Sequence, residues 1–313
     1  MKLILVGSGV RSRAWLETAS RRRNVEIVTV VESDTVTPEA WEKTLAQKAD
    51  AAILASAPAT RASLARQALN AGLGVMIETP IAATVAEAAE VLSLAQKANK
   101  PVVVAQSWRF GWAQERLRDF LRQGRLGRVT HMSVIDRRRS ASEADWTAES
   151  EYVQLLDRGV DQFDGVRSVL GLGAVSLMTE ARKAPWSGYR HGSTTQSMIE
   201  MEQDVHVHYF GSVTAGRDEH ETWLEGEKGV LWTDERIIWW RKRGWPRFIP
   251  LVVRRPRVSP NQVRRMLLEE LKPALQRRPQ TDAADTLRTL AMLEAAVQSD
   301  RTGRPIRVAE LVS

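Results

Sequence analysis

The chain reads as an α/β protein in two parts: a doubly wound parallel sheet, then an α/β domain with an open, mainly antiparallel sheet. Three observations predict this. Apolar and β-branched runs alternate with helical patterns up to about residue 105, as βαβ units do. A glycine turn, Gly7–Gly9, joins the first apolar run to the first helical pattern. After Gln106 the alternation gives way to a series of short strands.

The elements follow in order. Lys2–Val6 is a buried strand, and a helix runs from the glycine turn to about Arg22. Val25–Glu32 is a second, mostly β-branched strand, and Pro38–Ala49 a helix. Ala51–Ser56 is a third strand, and Ala59–Ala71 a helix closed by Gly72, a residue suited to a left-handed C-terminal position. Gly74–Glu78, the helix Thr84–Ala98 and the strand Pro101–Gln106 complete the first domain, residues 1–105. Right-handed crossovers between parallel strands make it doubly wound. The second domain, residues 106–313, holds helices at Trp112–Gln123 and Gln154–Leu170. Strands follow at Val129–Asp136, Ala174–Glu180, Thr194–Glu202, Val205–Ser212, Glu221–Glu225, Gly229–Thr233 and Arg236–Arg241, and a last helix at Thr281–Gln298.

Composition excludes several classes. The 313 residues are 43% hydrophobic, an ordinary globular balance. No apolar run approaches the roughly 20 residues that span a bilayer. The chain opens Met1-Lys2 straight into the first strand, with no signal-peptide pattern. Zero cysteines exclude disulfides and thiolate chemistry. A soluble, cytoplasmic protein without membrane partners is expected. The net charge is +7, but 13 Arg/Lys against two acids lie between Arg236 and Arg278, so this segment carries +11 and the remainder −4.

The opening loop is Val6-Gly7-Ser8-Gly9-Val10-Arg11-Ser12. Gly7 permits a tight turn, and Gly9 lets backbone approach a pyrophosphate. The helix that begins at Val10 and Arg11 offers its N–H groups to that anion. Ser12 stands where this fingerprint has glycine or alanine. Glu32 lies 23 residues after Gly9 at the end of the second strand, where an acid accepts from a ribose 2′-hydroxyl. It would repel a 2′-phosphate, so NAD is favoured over NADP. The other reading is a nucleotide-free domain with a tight first turn.

Over essentially its whole length the chain resembles the Gfo/Idh/MocA family, typified by glucose–fructose oxidoreductase and inositol 2-dehydrogenase. The resemblance is carried by the loop Gly7–Ser12, by Ala57-Pro58-Ala59-Thr60 and by Glu78-Thr79-Pro80, where Glu-Lys-Pro is usual. It continues through Ser107-Trp108-Arg109-Phe110, Gly124–Val129, the segment Asp157–Asp164 (similar to Asp-x-Gly-x-His-x-x-Asp), Glu225–Gly229 and Thr302–Pro305. It implies an NAD(P)-binding Rossmann domain and a substrate domain whose open sheet forms oligomer contacts. It places Ala57, Pro58, Glu78 and Arg109 near the cofactor.

It also exposes a mismatch. The family's catalytic lysine is Thr79 here, and its histidine is Asp161. Thr79 has no charge and serves only to position a water or a hydroxyl. Asp161 can accept a proton, and Asp157 sits four residues earlier on one predicted helix face, with Asp164 just beyond. Three clustered carboxylates would raise one another's pKa. Equally, they are solvated or paired with Arg158 and Arg167. Tyr152 replaces the missing acid–base group or simply packs. Arg109 reaches cofactor or an anionic substrate, or makes a salt bridge. Arg61 falls where the family often has histidine. His206 and His208 share a strand face, but no third metal ligand is obvious.

Trp239–Arg247 interleaves tryptophan and cations, followed by Arg254-Arg255-Pro256-Arg257, Arg264 and Arg265. An oligomer interface fits first, capture of an anionic small molecule second, single-stranded nucleic acid third. The expected function is an NAD(P)-dependent oxidoreductase acting on a sugar, polyol or derivative with non-standard acid–base residues. The alternative is a catalytically silent ligand-binding member acting as a sensor or assembly subunit.

Overall fold

A computed structural model describes residues 1–7, 9–31, 38–141, 146–251, 260–271 and 283–311. The chain divides into two compact units, Met1–Ser107 with Ser259–Leu290, and Trp108–Val258 with Ala291–Ser313.

The first unit runs β1 (Lys2–Val6), α1 (Val10–Ser20), β2 (Glu26–Val31), α2 (Pro38–Leu45), β3 (Ala51–Leu54), α3 (Pro58–Asn70), β4 (Gly74–Ile77), α4 (Val85–Ala98) and β5 (Val102–Val104). Its sheet is parallel, in the order β2-β1-β3-β4-β5. The three inner strands are buried along nearly their whole length, because crossover helices cover both faces. Edge strand β2 stays partly exposed. Helix ends follow local chemistry. Pro58 takes the first position of α3, where its missing N–H costs nothing. Thr84 and Glu87 form a reciprocal capping box on α4. Gly72, just past α3, is left-handed at φ +78°.

The second unit carries α5 (Trp112–Arg122), β6 (Val129–Arg137), α6 (Trp146–Glu149), α7 (Val160–Leu170), β7 (Ala174–Arg182), β8 (Thr194–Met201), β9 (Val205–Ser212), β10 (Glu219–Gly226), β11 (Gly229–Thr233), β12 (Ile238–Lys242) and β13 (Ile249–Leu251). Helix α8 (Pro260–Glu270) follows and groups with the first unit, where Arg22 of α1 pairs with Glu269. Helix α9 (Ala283–Thr302) and β14 (Ile306–Arg307) come next, and a 3-10 turn at Val308–Leu311 ends the described chain. The nine-stranded sheet runs β13-β12-β11-β10-β6-β9-β8-β7-β14, antiparallel except for the parallel pair β6–β9. Strict alternation along β8 buries one face and leaves the other open. The buried face packs on α7 through Phe163 and Tyr209, and on α9 through Ser299, whose hydroxyl accepts from Thr179 N at 2.9 Å.

Most predicted elements occur within a few residues of their expected bounds. α6, β13, α8 and β14 fall outside the expected elements. The helix expected over Gln154–Leu170 widens into a π turn at Leu155–Gly159 before α7 begins.

Candidate functional site

In the first unit the residues expected to hold a dinucleotide gather at the carboxyl ends of β1, β3 and β4. Gly7 has φ +133°, and a Cβ there would lie 2.7 Å from the Ala55 carbonyl oxygen. Only glycine fits, on conformation and on space alike. Gly9 is the N-cap of α1 and supplies no side-chain cap, so no cap side chain occupies the N–H groups of the first turn. Val10, the first helical residue, is 41% exposed, whereas Ser12 is buried and small enough for the helix to lie on the sheet. Ser8 and Glu32 lie outside the described residues. The cradle at Gly7 and the uncapped start of α1 fit the pyrophosphate of a dinucleotide.

The strand end Glu78-Thr79-Pro80 is braced from within the unit. Trp15 Nε1 donates to Glu78 Oε1 at 2.6 Å. Arg11 Nη1 donates to the Thr79 carbonyl at 2.9 Å and lies 3.4 Å from Glu78 Oε2. Glu78 thus ties α1 to β4. Arg61, 1% exposed, donates through Nε to the Ser56 carbonyl (2.8 Å) and through Nη1 to those of Glu78 (3.2 Å) and Pro80 (2.8 Å). It holds two strand ends together as an internal strut. Ala57 is the N-cap of α3, directly before Pro58. The Thr79 side chain is buried, 2% exposed.

In the second unit Arg109 and Asp164 form a buried two-point pair, with Nε–Oδ2 and Nη2–Oδ1 both 2.5 Å. Asp164 is therefore ion-paired, which favours the paired reading of these acids over a free carboxylate cluster. Asp157 is buried in the π turn, and Asp161 is half-buried in the first turn of α7. Both act on the Arg158 guanidinium. Burial disfavours its charge, but Asp136, Asp161 and Asp157 outweigh that and hold it above its ordinary value. The acids are interleaved with cations, so their mutual repulsion is offset. Tyr152 donates to Asp300 Oδ2 at 3.0 Å and lies under the Arg301 guanidinium. Burial and that carboxylate push its phenol up.

Two polar networks were missed. Asp136, fully buried on β6, accepts from Arg138 (2.8 Å) and Arg158 (3.1 Å). Burial would raise its pKa, but the two guanidinium groups hold it below the ordinary carboxylate value. Next to it in register, His220 on β10 lies 3.1 Å from Gln162 Oε1 and 3.7 Å from Glu235 Oε1, and burial lowers its pKa. Glu235 also accepts from Trp108 (2.8 Å) and Gln114 (3.0 Å). These residues come from five separated segments, so no local spacing signals them.

The open sheet face gathers other residues. His131 meets His208 edge-on at 4.9 Å and pairs in register with His206, a third histidine that the sequence spacing does not reveal. Among the described residues no group of His, Asp and Glu has metal-binding geometry. Trp223, Trp232 and Trp239 stand in register on β10, β11 and β12. Arg254, Arg255 and Arg257 lie outside the described residues. A cavity of about 880 Å³ lies on this unit, lined by Met178, Gln196, Met198, His208 and Phe210. None of the candidate acids lines it. No described helix is long and apolar enough to cross a membrane.

A parallel α/β sheet with a glycine turn between its first strand and helix defines a Rossmann-type nucleotide-binding protein. Residues 1–106 match the GFO_IDH_MocA model, described as an oxidoreductase family with the NAD-binding Rossmann fold. An uncharacterized protein of Sinorhizobium fredii is 23% identical, over 99% of this chain and 96% of its own. Two solved structures share the fold. The aldose–aldose oxidoreductase of Caulobacter crescentus, complexed with glycerol, is 15% identical, with TM-score 0.84 over 98% of this chain and 99% of that one. An inositol dehydrogenase homolog of Azotobacter vinelandii, complexed with NADH and myo-inositol, is 18% identical, with TM-score 0.78 over 98% and 97%.

Proposed function

We propose that the protein is an NAD(P)-dependent oxidoreductase acting on a sugar, polyol or derivative, with NAD preferred. The observation that carries this reading is the Gly7 turn, closed to any other residue and opening directly into an uncapped helix. Carbohydrate-like ligands in the two structural neighbours support the substrate class. A bound nicotinamide supplies the hydride acceptor or donor. Gly7, Gly9, Val10, Arg11 and Ser12 would hold the pyrophosphate, and Glu32 the adenine ribose. Ala57, Pro58 and Glu78 would stand at the cofactor's edge of the sheet, Glu78 bracing α1; Arg109, expected to reach the cofactor, is held in the second unit by Asp164.

Asp161 takes the substrate's hydroxyl proton, and Asp157 shares its electrostatic environment through Arg158. Thr79 fills the lysine position as a neutral packing and hydrogen-bonding residue. Tyr152 holds Asp300 and lends support to the π turn. The outer sheet face, where Met198 is 60% exposed, serves self-association. The test is a screen of polyols and aldoses with NAD by absorbance at the reduced cofactor's band, followed by Asp161→Asn and Asp157→Asn on the active substrate. Loss of at least 100-fold in turnover for Asp161→Asn is expected, on the order of a general base's contribution. Full turnover in both variants overturns the assignment.

The burial of Thr79 where a lysine is usual favours a second reading, a catalytically silent ligand-binding member. Dehydrogenase activity in Thr79→Lys/Asp161→His, absent from the parent, supports it.

A further inference from the structure

We infer that Gln106 recognises the carboxamide of a bound nicotinamide ring. The inference rests on the dinucleotide reading above and goes beyond it by naming the group that reads the reactive end of the cofactor.

Gln106 is 1% exposed, and neither its Oε1 nor its Nε2 has a hydrogen-bond partner. A primary amide has two donors and an acceptor, and burying both ends unpaired is costly and uncommon in native proteins. Among the described residues of the first unit it is the side chain with both ends orphaned in this way.

Its place in the sheet puts it at the edge where ligands bind. β5 is the far edge from β2 in the order β2-β1-β3-β4-β5. The last pairing of β5 with β4 is Val104 with Ile77, extended by Ala105 N donating to the Ile77 carbonyl at 2.7 Å. Two tight turns then stop the strand: Gln106 N donates to the Val104 carbonyl and Ser107 N to that of Ala105, both at 2.8 Å. Gln106 therefore stands at the carboxyl end of the sheet, two residues past the last pair, as Thr79 does on β4. Ligands of open α/β sheets bind along this edge. With a pyrophosphate held at the β1–α1 turn, the nicotinamide half would lie toward the ends of β3, β4 and β5.

The chemistry matches. The nicotinamide carboxamide carries the same donor and acceptor pair as Gln106. Two primary amides pair through two antiparallel N–H···O bonds, which satisfies both orphaned atoms at once. A glutamine also suits the N6 and N7 edge of adenine, so the experiment separates the two ends of the cofactor.

Calorimetric titration of wild type and Gln106→Leu with NADH, ADP-ribose and 3-acetylpyridine adenine dinucleotide is the test. ADP-ribose lacks the nicotinamide, and the acetyl analogue lacks the amide N–H. We expect Gln106→Leu to weaken NADH about tenfold, the scale of one or two hydrogen bonds, and to leave ADP-ribose unchanged. Wild type should bind the acetyl analogue more weakly than NADH, and the variant should erase that difference. The wild-type comparison needs no substitution, and Gln106→Asn serves if the leucine variant does not fold. Equal losses for NADH and ADP-ribose, or none for either, overturn the inference while the dinucleotide reading stands. Wild type that binds neither NADH nor ADP-ribose overturns that reading, and this inference with it.

Discussion

Arg109 and Asp164 are joined by two parallel hydrogen bonds of 2.5 Å, with side chains 9% and 1% exposed. The fork of a guanidinium matches a carboxylate in this geometry. Removing one partner of a buried ion pair leaves the other charge in a poor environment. Arg109→Leu is expected to lower unfolding free energy by about 3 kcal/mol, and Arg109→Lys to recover only part. Urea denaturation of both variants checks this. A loss under about 1 kcal/mol would mean the pair contributes no more than a surface bridge.

Gly7 is fixed by two independent constraints, φ +133° and a carbonyl oxygen 2.7 Å from any Cβ. Gly7→Ala should destabilise the first unit by about 1–3 kcal/mol and lower dinucleotide affinity more than tenfold. Thermal melting and calorimetry on the same sample separate the two effects. Unchanged affinity would dissociate the turn from binding.

Arg61 spans three carbonyl groups at the ends of β3 and β4. A histidine or methionine there cannot reach all three. Arg61→Met is expected to cost about 2–4 kcal/mol, since buried carbonyls lose their donor, and to loosen the Glu78–Pro80 segment. Hydrogen exchange at Glu78 and Thr79 reports the loosening. Unchanged protection there would contradict the strut role.

Stability should fall with acid in two stages. Burial depresses the pKa of His220, so the folded state resists its protonation. The unfolded chain takes up that proton near pH 6.5, and stability therefore declines as pH drops below that value; partly buried His131 adds in the same direction. Asp136 has a depressed folded pKa, so its contribution is present above about pH 4 and is lost as pH falls through the folded value. His220→Gln should flatten the decline between pH 6.5 and 5 and leave the second stage intact. Urea midpoints from pH 8 to 3 test this; a decline of unchanged slope in the variant would assign it elsewhere.

Legibility in the sequence followed range. Alternating strands and helices to residue 105 are a local pattern, and they reported the parallel sheet because each strand is a short apolar run. The Gly7 turn was readable because one residue type meets its geometry. The environment of the acids was not. Asp157, Asp161 and Asp164 share a short segment, but their surroundings are set by Arg109, by Arg158 and by Asp136 on β6. The parallel pairing of β6 with β9, which brings His131 beside His206 and His208, is a matter of topology that no spacing encodes. Arg61 looked like a variant of a histidine position, and its role emerged only from the carbonyl groups around it. Gln106 passed as the last residue of a strand, because an orphaned amide is visible only once burial is known.

The proposed function requires the first unit to bind a nicotinamide dinucleotide, with NAD preferred. Titration of the purified protein with NAD, NADH, NADP and NADPH by calorimetry and tryptophan fluorescence tests it most directly. Micromolar binding of NAD or NADH, at least tenfold tighter than the phosphorylated forms, is the predicted result. No binding of any of the four at millimolar concentration would contradict it.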